Sequence, residues 1–326
     1  MMPENLETVT LGPELAGRRL DAALAARFPE RSRSFLAKLI RDGAVLVRGR
    51  VAKPAFEVRG GEQVEIDWPA PEMPAALPEP IPLRVLYEDQ DLIVLDKPAG
   101  LAVHPGAGRS GGTLVNALLA HCADLSGVHG ALRPGIVHRL DLETSGVMVA
   151  AKNDRAHLAL QEQFLARTVR KEYLALCHGA PEADEFECAG RLGRHPTRRT
   201  EMTVLRRAGE GREAYTSLQV LARFRRRPGA TKRESPRFIS LLLARPRTGR
   251  THQIRVHLAH AGHPVLCDGV YGREVSLPEL GLHRHALHAW RLSFAHPRSG
   301  ERLRFQADAP EDLLEALTRL GGAWPA

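Results

Sequence analysis

A proline-rich segment at residues 69–82 divides the chain. It reads PAPEMPAALPEPIP and holds six prolines in fourteen positions. Because proline fixes φ and lacks a backbone N–H, this segment cannot be a helix interior or a central strand, and it suits a semi-rigid, extended spacer. We therefore predict a small domain at residues 15–68, a linker at 69–82 and a larger domain at 83–326.

The segment before the spacer predicts a small α/β domain. Apolar residues recur at helical spacing in residues 20–24 and 36–40. The second of these helices should begin at Ser32 or Ser34, which suit the N-cap position, and end at Gly43. A short apolar run directly after this glycine predicts a strand.

Positive charge is concentrated in the same domain. The whole chain has a net charge of +8, which suits a polyanionic partner such as RNA or DNA. Between residues 31 and 53 there are seven basic residues and one acid, Asp42. A solvated helix face normally mixes both signs, so this excess favours contacts with phosphate groups. The candidate nucleic-acid-binding residues here are Arg31, Arg33, Lys38, Arg41, Arg48 and Arg50.

The segment after the spacer predicts an α+β fold with a mixed, mostly antiparallel sheet. The clearest strand patterns are at residues 93–95, 147–150, 173–177 and 238–243, and the clearest helical patterns at 113–121, 155–167 and 252–261. Strands outnumber helices and do not alternate with them, which argues against a doubly wound sheet. Residues 220–237 carry seven basic residues and predict a solvent-exposed hairpin loop.

The sequence lacks the marks of a membrane protein and of a nucleotide-dependent enzyme. No apolar run approaches the ~20 residues that a membrane-spanning helix needs. The N-terminus, MMPENLETVT, has neither the basic nor the apolar region of a signal peptide, so we expect a cytosolic protein. No glycine-rich phosphate loop occurs, and no cofactor is expected.

A charged turn lies between two apolar segments in residues 133–152. It contains Arg139 and Asp141, and such a turn projects side chains from a rigid frame, where catalytic groups are often found. For an isolated H-R-L-D tetrapeptide, a surface turn with a capping aspartate is the more common arrangement.

Two later blocks add a tyrosine and an arginine. Tyr173 follows two basic residues at the start of a predicted strand, where a core tyrosine is the commoner case. Residues 245–272 open with a glycine-containing turn and continue into an amphipathic helix. His252, Gln253 and Arg255 lie in its first turns.

The sequence predicts no metal site. His257, His260 and His263 are spaced three apart, but they do not share one helical face, and no carboxylate pair completes a zinc shell. The four cysteines are scattered without a C-x-x-C pair, which argues against both a zinc site and a disulfide framework and predicts reduced, mostly buried thiols.

In combination, these blocks resemble the RluA family of pseudouridine synthases and, within it, the branch that acts on large-subunit ribosomal RNA. The matching segments are DLIVLDKPAGLAVHPGAG (91–108), GIVHRLD (135–141), RKEY (170–173), TGRTHQIRVH (248–257) and LHAWRLSFAHP (287–297). The N-terminal domain resembles the S4 RNA-binding module, so the resemblance covers almost the whole chain. It departs at Leu142, where the family often has lysine, and at Cys267, where glycine is frequent.

The resemblance implies an enzyme that breaks the glycosidic bond of a uridine, turns the uracil and rejoins it to the ribose through C5. Asp141 would be the essential carboxylate, either attacking C1′ or removing a sugar proton to give a glycal. Arg255 would pair with it, because a buried carboxylate needs a cation. Tyr173 would stack on the uracil and help to remove the C5 proton, and Arg139 would occupy the space left by the flipped uridine.

The expected partner is a structured RNA, with 23S ribosomal RNA as the first candidate and a monomer as the acting species. A synthase acting on transfer RNA is the alternative within the same class. A non-catalytic RNA-binding or ribosome-assembly protein would be expected to lack Asp141, Tyr173 or Arg255, and all three are present. An S4-bearing methyltransferase would need a cofactor loop, which we do not find.

Overall fold

The computed structural model describes residues 6–29, 31–68, 76–105, 111–122, 125–128, 134–198, 201–205, 207, 209–225, 238–272 and 274–325. The chain divides into two compact units, Met1–Ala75 with Gly127–Pro134 and Ala76–Ser126 with Gly135–Ala326. In the described part of the chain, no helix combines the length and apolar character needed to cross a membrane.

The first unit is a four-stranded antiparallel sheet with two helices. Its elements are β1 (Leu6–Thr10), α1 (Leu20–Arg27), α2 (Arg33–Arg41), β2 (Val45–Val47), β3 (Arg50–Val51) and β4 (Gln63–Asp67), and the strand order is β1-β4-β2-β3. Ser32 caps α2 by accepting the N–H of Phe35, which selects between the two predicted caps. Since β1 pairs with β4, the sheet begins before the predicted boundary at residue 15.

The second unit is built on one ten-stranded sheet. Its strands are β5 (Arg84–Glu88), β6 (Leu92–Lys97), β7 (Ser145–Ala151), β8 (Arg170–His178), β9 (Glu185–Arg194), β10 (Met202–Leu205), β11 (Arg212–Arg225), β12 (Phe238–Pro246), β13 (Leu287–Ala295) and β14 (Arg302–Gln306). The order is β10-β9-β11-β12-β8-β13-β7-β6-β5, with β14 on β13. All of these pairings are antiparallel except that of β7 with β13, so the predicted mixed, mostly antiparallel sheet is confirmed.

Four helices pack on this sheet: α3 (Leu114–His121), α4 (Asp154–Leu165), α5 (Gln253–His260) and α6 (Glu311–Arg319). The first two begin at side-chain caps, Thr113 and Asn153. At the junction of β7 and β13 the backbones come so close that a Cβ on Gly146 would lie 2.1 Å from the carbonyl oxygen of Ala289. Only glycine fits there.

The described end of the proline-rich segment lies against the second unit. Ala76 is fully buried, Asn116 Nδ2 donates to the carbonyl of Leu77, and the N–H of Glu79 donates to the carbonyl of Asn116. Residues 76–82, predicted as linker, therefore belong to the second unit. Residues 69–75 of the predicted linker and residues 226–237 of the predicted basic loop lie outside the described residues.

Candidate active site

A cleft of about 540 Å³ is lined by residues from three segments that stand out in the sequence: the turn within residues 133–152, the strand that carries Tyr173, and residues 245–272. Asp141 lies in the turn before β7, Tyr173 near the start of β8, and Arg255 in the first turn of α5, and all three line this cleft. The sequence separates these side chains widely, and the sheet order joins them because β7 and β8 both pair with β13.

The turn that carries Asp141 is held from several sides. The N–H of Thr144 donates to the carbonyl of Asp141. The next carbonyl, of Leu142, accepts from Gly100 N at 3.0 Å and from the buried ammonium of Lys97 at 3.2 Å. His138 accepts the N–H of Val149 in β7, and burial lowers the pKa of this imidazole to about 3, so it is a neutral acceptor. The side chain of Asp141 is thus presented by a fixed backbone.

Arg255 binds two carboxylates at once. Its Nη1 donates to Asp141 Oδ2 at 3.0 Å, while Nε and Nη2 donate to the two oxygens of Asp268 at 2.7 and 2.8 Å. Asp268 also accepts the N–H groups of Val270 and Tyr271. Burial opposes the charge of Arg255, but the hydrogen bonds and charge of Asp268, with a further contribution from Asp141, raise its pKa above the usual value. The guanidinium is a permanent cation fixed beside Asp141.

A second residue, His252, faces the other oxygen of Asp141. Its Nε2 lies 4.0 Å from Asp141 Oδ1, and its Nδ1 lies 2.8 Å from the hydroxyl of Tyr271. That hydroxyl accepts the N–H of Met202, so its own hydrogen is free to point to Nδ1, leaving the imidazole hydrogen on Nε2. Burial lowers the pKa of His252, so the ring is held as a neutral donor facing Asp141.

Tyr173 is a neutral phenol in this cleft. Burial raises the pKa of its hydroxyl well above the usual value, and the nearby Asp141 carboxylate adds to the effect. Its strand neighbours are Ala244 and Ala289, whose small side chains leave room beside the ring.

Arg139 lies on the rim of the same cleft. It is exposed, and it forms no hydrogen bond or ion pair with any described residue. Its neighbour Leu140 is buried in the core, which anchors the turn on which the guanidinium stands.

The six predicted RNA-binding residues of the first unit differ in their surroundings. Arg33 pairs with Asp21 and Lys38 with Asp42. Arg48 Nη2 lies 3.7 Å from Glu62 Oε1, and Arg31 stacks over the rings of Phe35 and Trp68. Arg41 and Arg50 are exposed and have no polar partner among the described residues. Among the described residues, these last two have neither a carboxylate nor an aromatic ring as a partner.

The histidines that resemble a metal motif have other contacts. His257 Nδ1 lies 2.9 Å from the hydroxyl of Thr216, and His263 Nδ1 lies 3.1 Å from the carbonyl of His178. Two other groups have suitable ligand atoms close together: Glu88, His121 and Cys122, and Asp89, Asp91 and His296. Neither group lines the cleft, and Lys152 and Arg298 pair with Glu88 and Asp91. The four cysteines are free thiols and three are buried, as predicted.

Sequence reasoning missed Asp268, Tyr271 and Lys97. Asp268 and Tyr271 lie in the third block, where an acid three residues before a tyrosine was the available signal. Lys97 gave no signal, because a lysine at a strand end is normally exposed. Cys267 adopts a φ of +56°, the left-handed region that glycine adopts most easily, which agrees with the glycine that the family resemblance leads us to expect there.

Comparisons with known proteins identify the family of each unit. Residues 91–260 match the model of the family described as RNA pseudouridylate synthase, and residues 18–64 match that of the S4 domain. The chain is 43% identical to ribosomal large subunit pseudouridine synthase D of Xanthomonas campestris, over 98% of this chain and 94% of that protein. It is 40% identical to the uncharacterized RNA pseudouridine synthase YlyB of Bacillus subtilis, over 96% of this chain and 97% of that protein.

A solved structure shows the same fold. Human RNA pseudouridylate synthase domain containing 1 superposes with a TM-score of 0.55 at 27% identity, covering 70% of this chain and 84% of that one. Both family models, near-full-length relatives and this structure point the same way. The chain is therefore an RNA pseudouridine synthase, an isomerase of the RNA pseudouridylate synthase family that carries an S4 domain.

Proposed function

We propose that this enzyme isomerises uridines of large-subunit ribosomal RNA to pseudouridine, acting in the cytosol as a monomer, with Asp141 as the carboxylate that acts on the target nucleoside. The observation that carries the proposal is the convergence of Asp141, Tyr173 and Arg255 on one cleft, in a chain whose near-full-length relatives include proteins named for the large ribosomal subunit.

The reaction is balanced without a redox partner. The C1′–N1 bond breaks, the uracil turns, C1′ bonds to C5, the C5 proton leaves and N1 gains a proton. Arg255 occupies Oδ2 of Asp141, whereas Oδ1 has no hydrogen bond to a described residue. Oδ1 is thus the oxygen left to act at C1′ or on a sugar proton.

Two further residues complete the assignment. Since its pKa is raised, Tyr173 acts as a neutral phenol, with its ring against the uracil and its hydroxyl relaying the C5 proton. Arg139, exposed on the rim, fills the space that the flipped uridine leaves in its stack. The basic residues of the S4 domain contribute RNA affinity.

The test is a map of pseudouridines in total RNA from a strain that lacks this protein. We expect one or more sites in large-subunit RNA to be lost, restored by the wild-type gene and not by an Asp141→Asn variant of equal abundance. A loss confined to transfer RNA would refute the ribosomal substrate. Restoration by Asp141→Asn would refute the role of this carboxylate.

A further inference from the structure

A second cavity of about 350 Å³ adjoins the catalytic cleft. The two share Arg167, Arg247 and Thr248 in their linings. The rest of its wall comes from β9 and β11. In the strand order of the sheet, these two strands are separated by β12, β8 and β13 from β7, which follows the turn that carries Asp141. A polymer with one nucleoside in the cleft therefore has a continuous path into this cavity.

The two shared arginines present free guanidinium groups. Neither side chain forms a hydrogen bond or an ion pair with any residue that the structure describes. By contrast, Arg191 in the same wall donates to the carbonyls of Glu210 and Gly211. The Cζ of Arg247 lies 4.3 Å from the ring centroid of Tyr215, a stacked arrangement that leaves the N–H edges open to an anion.

This stacked pair is fixed to the helix of the active site. Arg247 N donates to the carbonyl of Tyr215, and Tyr215 N donates to Thr248 Oγ1 at 3.1 Å. The Thr248 hydroxyl then donates to Gln253 at 2.7 Å, two residues before Arg255. Hydrogen bonds therefore link the backbone that carries Arg247 to the first turn of α5, which carries Arg255.

Arg167 directly follows the C-cap of α4. Its φ of +59° lies in the left-handed region that favours glycine, and its N–H closes the helix by donating to the carbonyl of Phe164. A glycine would suit this backbone at least as well, so the end of the helix does not require the arginine side chain. Next to it, Leu165 is 76% exposed on the wall of the cleft, an apolar surface suited to a base or ribose.

Positive charge around these arginines is poorly compensated. Burial lowers the pKa of Arg250, and repulsion by Arg212 and Arg167 adds to that shift. Glu213 is the one carboxylate in the described lining of the second cavity, and it is 3.7 Å from Arg191 Nη1. The site thus attracts an anion from outside.

We propose that the second cavity is a subsite for the RNA backbone, where Arg167 and Arg247 bind the phosphodiester that joins the flipped uridine to its neighbour. This inference rests on the proposed function, since it places the uridine at Asp141. A phosphate there would meet two free forks of N–H donors, the geometry that suits bidentate recognition. It would also align the ribose of the target with the carboxylate.

The first experiment measures RNA affinity against salt concentration, using full-length protein in an Asp141→Asn background and a ribosomal RNA stem-loop that the wild-type enzyme modifies. Arg167→Gln and Arg247→Gln should each weaken binding about three- to tenfold and lower the slope of log K against log salt by about 1. Arg304→Gln, at an exposed arginine without a described partner in β14, is the control and should change neither quantity.

Arg167→Gly separates a binding role from a structural one. Relief of the strained backbone should keep or raise the melting temperature while RNA affinity falls. A lower melting temperature with unchanged affinity would overturn the proposal.

The second experiment replaces one phosphodiester beside the target uridine with an uncharged methylphosphonate. The methylphosphonate should greatly weaken RNA binding by the Asp141→Asn protein. It should have almost no effect on binding when Arg167→Gln and Arg247→Gln are also present, as expected for groups in direct contact. The experiment is repeated for the phosphate on each side of the uridine. If the loss from the methylphosphonate and the loss from the arginine substitutions simply add at both positions, the subsite is overturned. If the wild-type enzyme modifies neither a stem-loop nor intact ribosomal RNA, the proposed function fails, and the salt slopes on ribosomal RNA still test whether these arginines bind phosphate.

Discussion

At the level of single residues, Arg255 depends on Asp268. The two side chains form a bidentate pair, and both are almost fully buried, with exposed side-chain fractions of 6% and 0%. Only one nitrogen of the guanidinium remains for Asp141. Asp268 therefore sets the direction from which the guanidinium approaches the carboxylate of Asp141.

We expect Asp268→Asn to damage both stability and catalysis. The substitution leaves a buried guanidinium without its main counter-charge, which should cost about 3 kcal/mol of unfolding free energy, and isomerisation should slow by at least about tenfold. Asp308→Asn is the matched control, because Asp308 pairs with Arg84 at an exposed site, and its cost should stay below about 1 kcal/mol. Calorimetry and single-turnover assays measure the two effects. Similar losses for both variants would contradict the role of Asp268.

A second residue-level expectation concerns pH. Burial, with repulsion from Arg250, lowers the pKa of Lys171 to about 8, and this lysine lines the cleft. Below that pH its ammonium can attract a phosphate, and the charge is lost as the pH rises. RNA affinity should therefore fall by up to about fivefold between pH 7 and about pH 8.7. Lys171→Arg, which stays charged, should remove most of this dependence. A wild-type profile that is flat over this range would contradict the expectation.

At the level of elements, Lys97 joins the end of β6 to the turn that carries Asp141. The whole residue is 1% exposed, and its ammonium donates to the carbonyls of Pro98, Leu101 and Leu142. Two loops are thereby tied to one buried group. Burial lowers the pKa of Lys97 to about 8, which still leaves the group largely protonated at pH 7.

We expect Lys97→Met to loosen this turn. Three carbonyls would lose a donor, which should cost about 3 kcal/mol or more of stability. Isomerisation per folded molecule should slow while RNA affinity stays close to wild type, because the lysine lies under the turn and does not line the cleft. Circular dichroism measures the folded fraction and single-turnover assays the rate. An unchanged rate in the folded fraction would show that Asp141 keeps its position without Lys97.

Elements with strong local signals could be predicted from the sequence, and others could not. The helix after Thr113 and the buried strand β7 follow from a cap and a continuous apolar run. Neither β9 nor β11 was predicted, because alternating exposed residues such as those of β9 also suit a loop. Residues 220–225, predicted as part of the basic loop, instead form the end of β11. Asp141, Tyr173 and Arg255 came from motif resemblance. The spacing of Asp268 and Tyr271 offered a signal for the acid, but its pairing with Arg255 and the contacts of Lys97 are tertiary and no local pattern encodes them.

At the level of the whole molecule, each unit has its own apolar core. Val9, Leu36 and Ile66 belong to the core of the first unit, and large clusters that include Leu242 and Phe294 support the sheet of the second. Every described residue that lines the catalytic cleft lies in the second unit. We therefore propose that the second unit contains the whole active site and that the first supplies affinity and targeting.

A protein shortened to begin at Ala76 tests this division. That start keeps the buried Ala76 and the hydrogen bonds of Leu77 and Glu79 with Asn116. A start near the end of the predicted linker, at Ile81, would remove them. The shortened protein should fold and still isomerise uridine in a short stem-loop. It should bind large ribosomal RNA more weakly and modify it less selectively, because two linked binding sites have a higher overall affinity for one RNA than a single site has.

The full-length Arg41→Gln/Arg50→Gln variant is the matched comparison, because these two exposed arginines have no described partner in the first unit. For this variant, the slope of log K against log salt, measured on large ribosomal RNA, should fall by about 2, because two phosphate contacts are lost. The shortened protein should show a larger decrease, because it lacks the other basic residues of the first unit as well. Affinity and rate are measured for all three proteins on stem-loop and full-length RNA. Equal slopes would mean that the S4 domain does not bind phosphate as its charge suggests, and a folded but inactive shortened protein would mean that the first unit helps to build the active site.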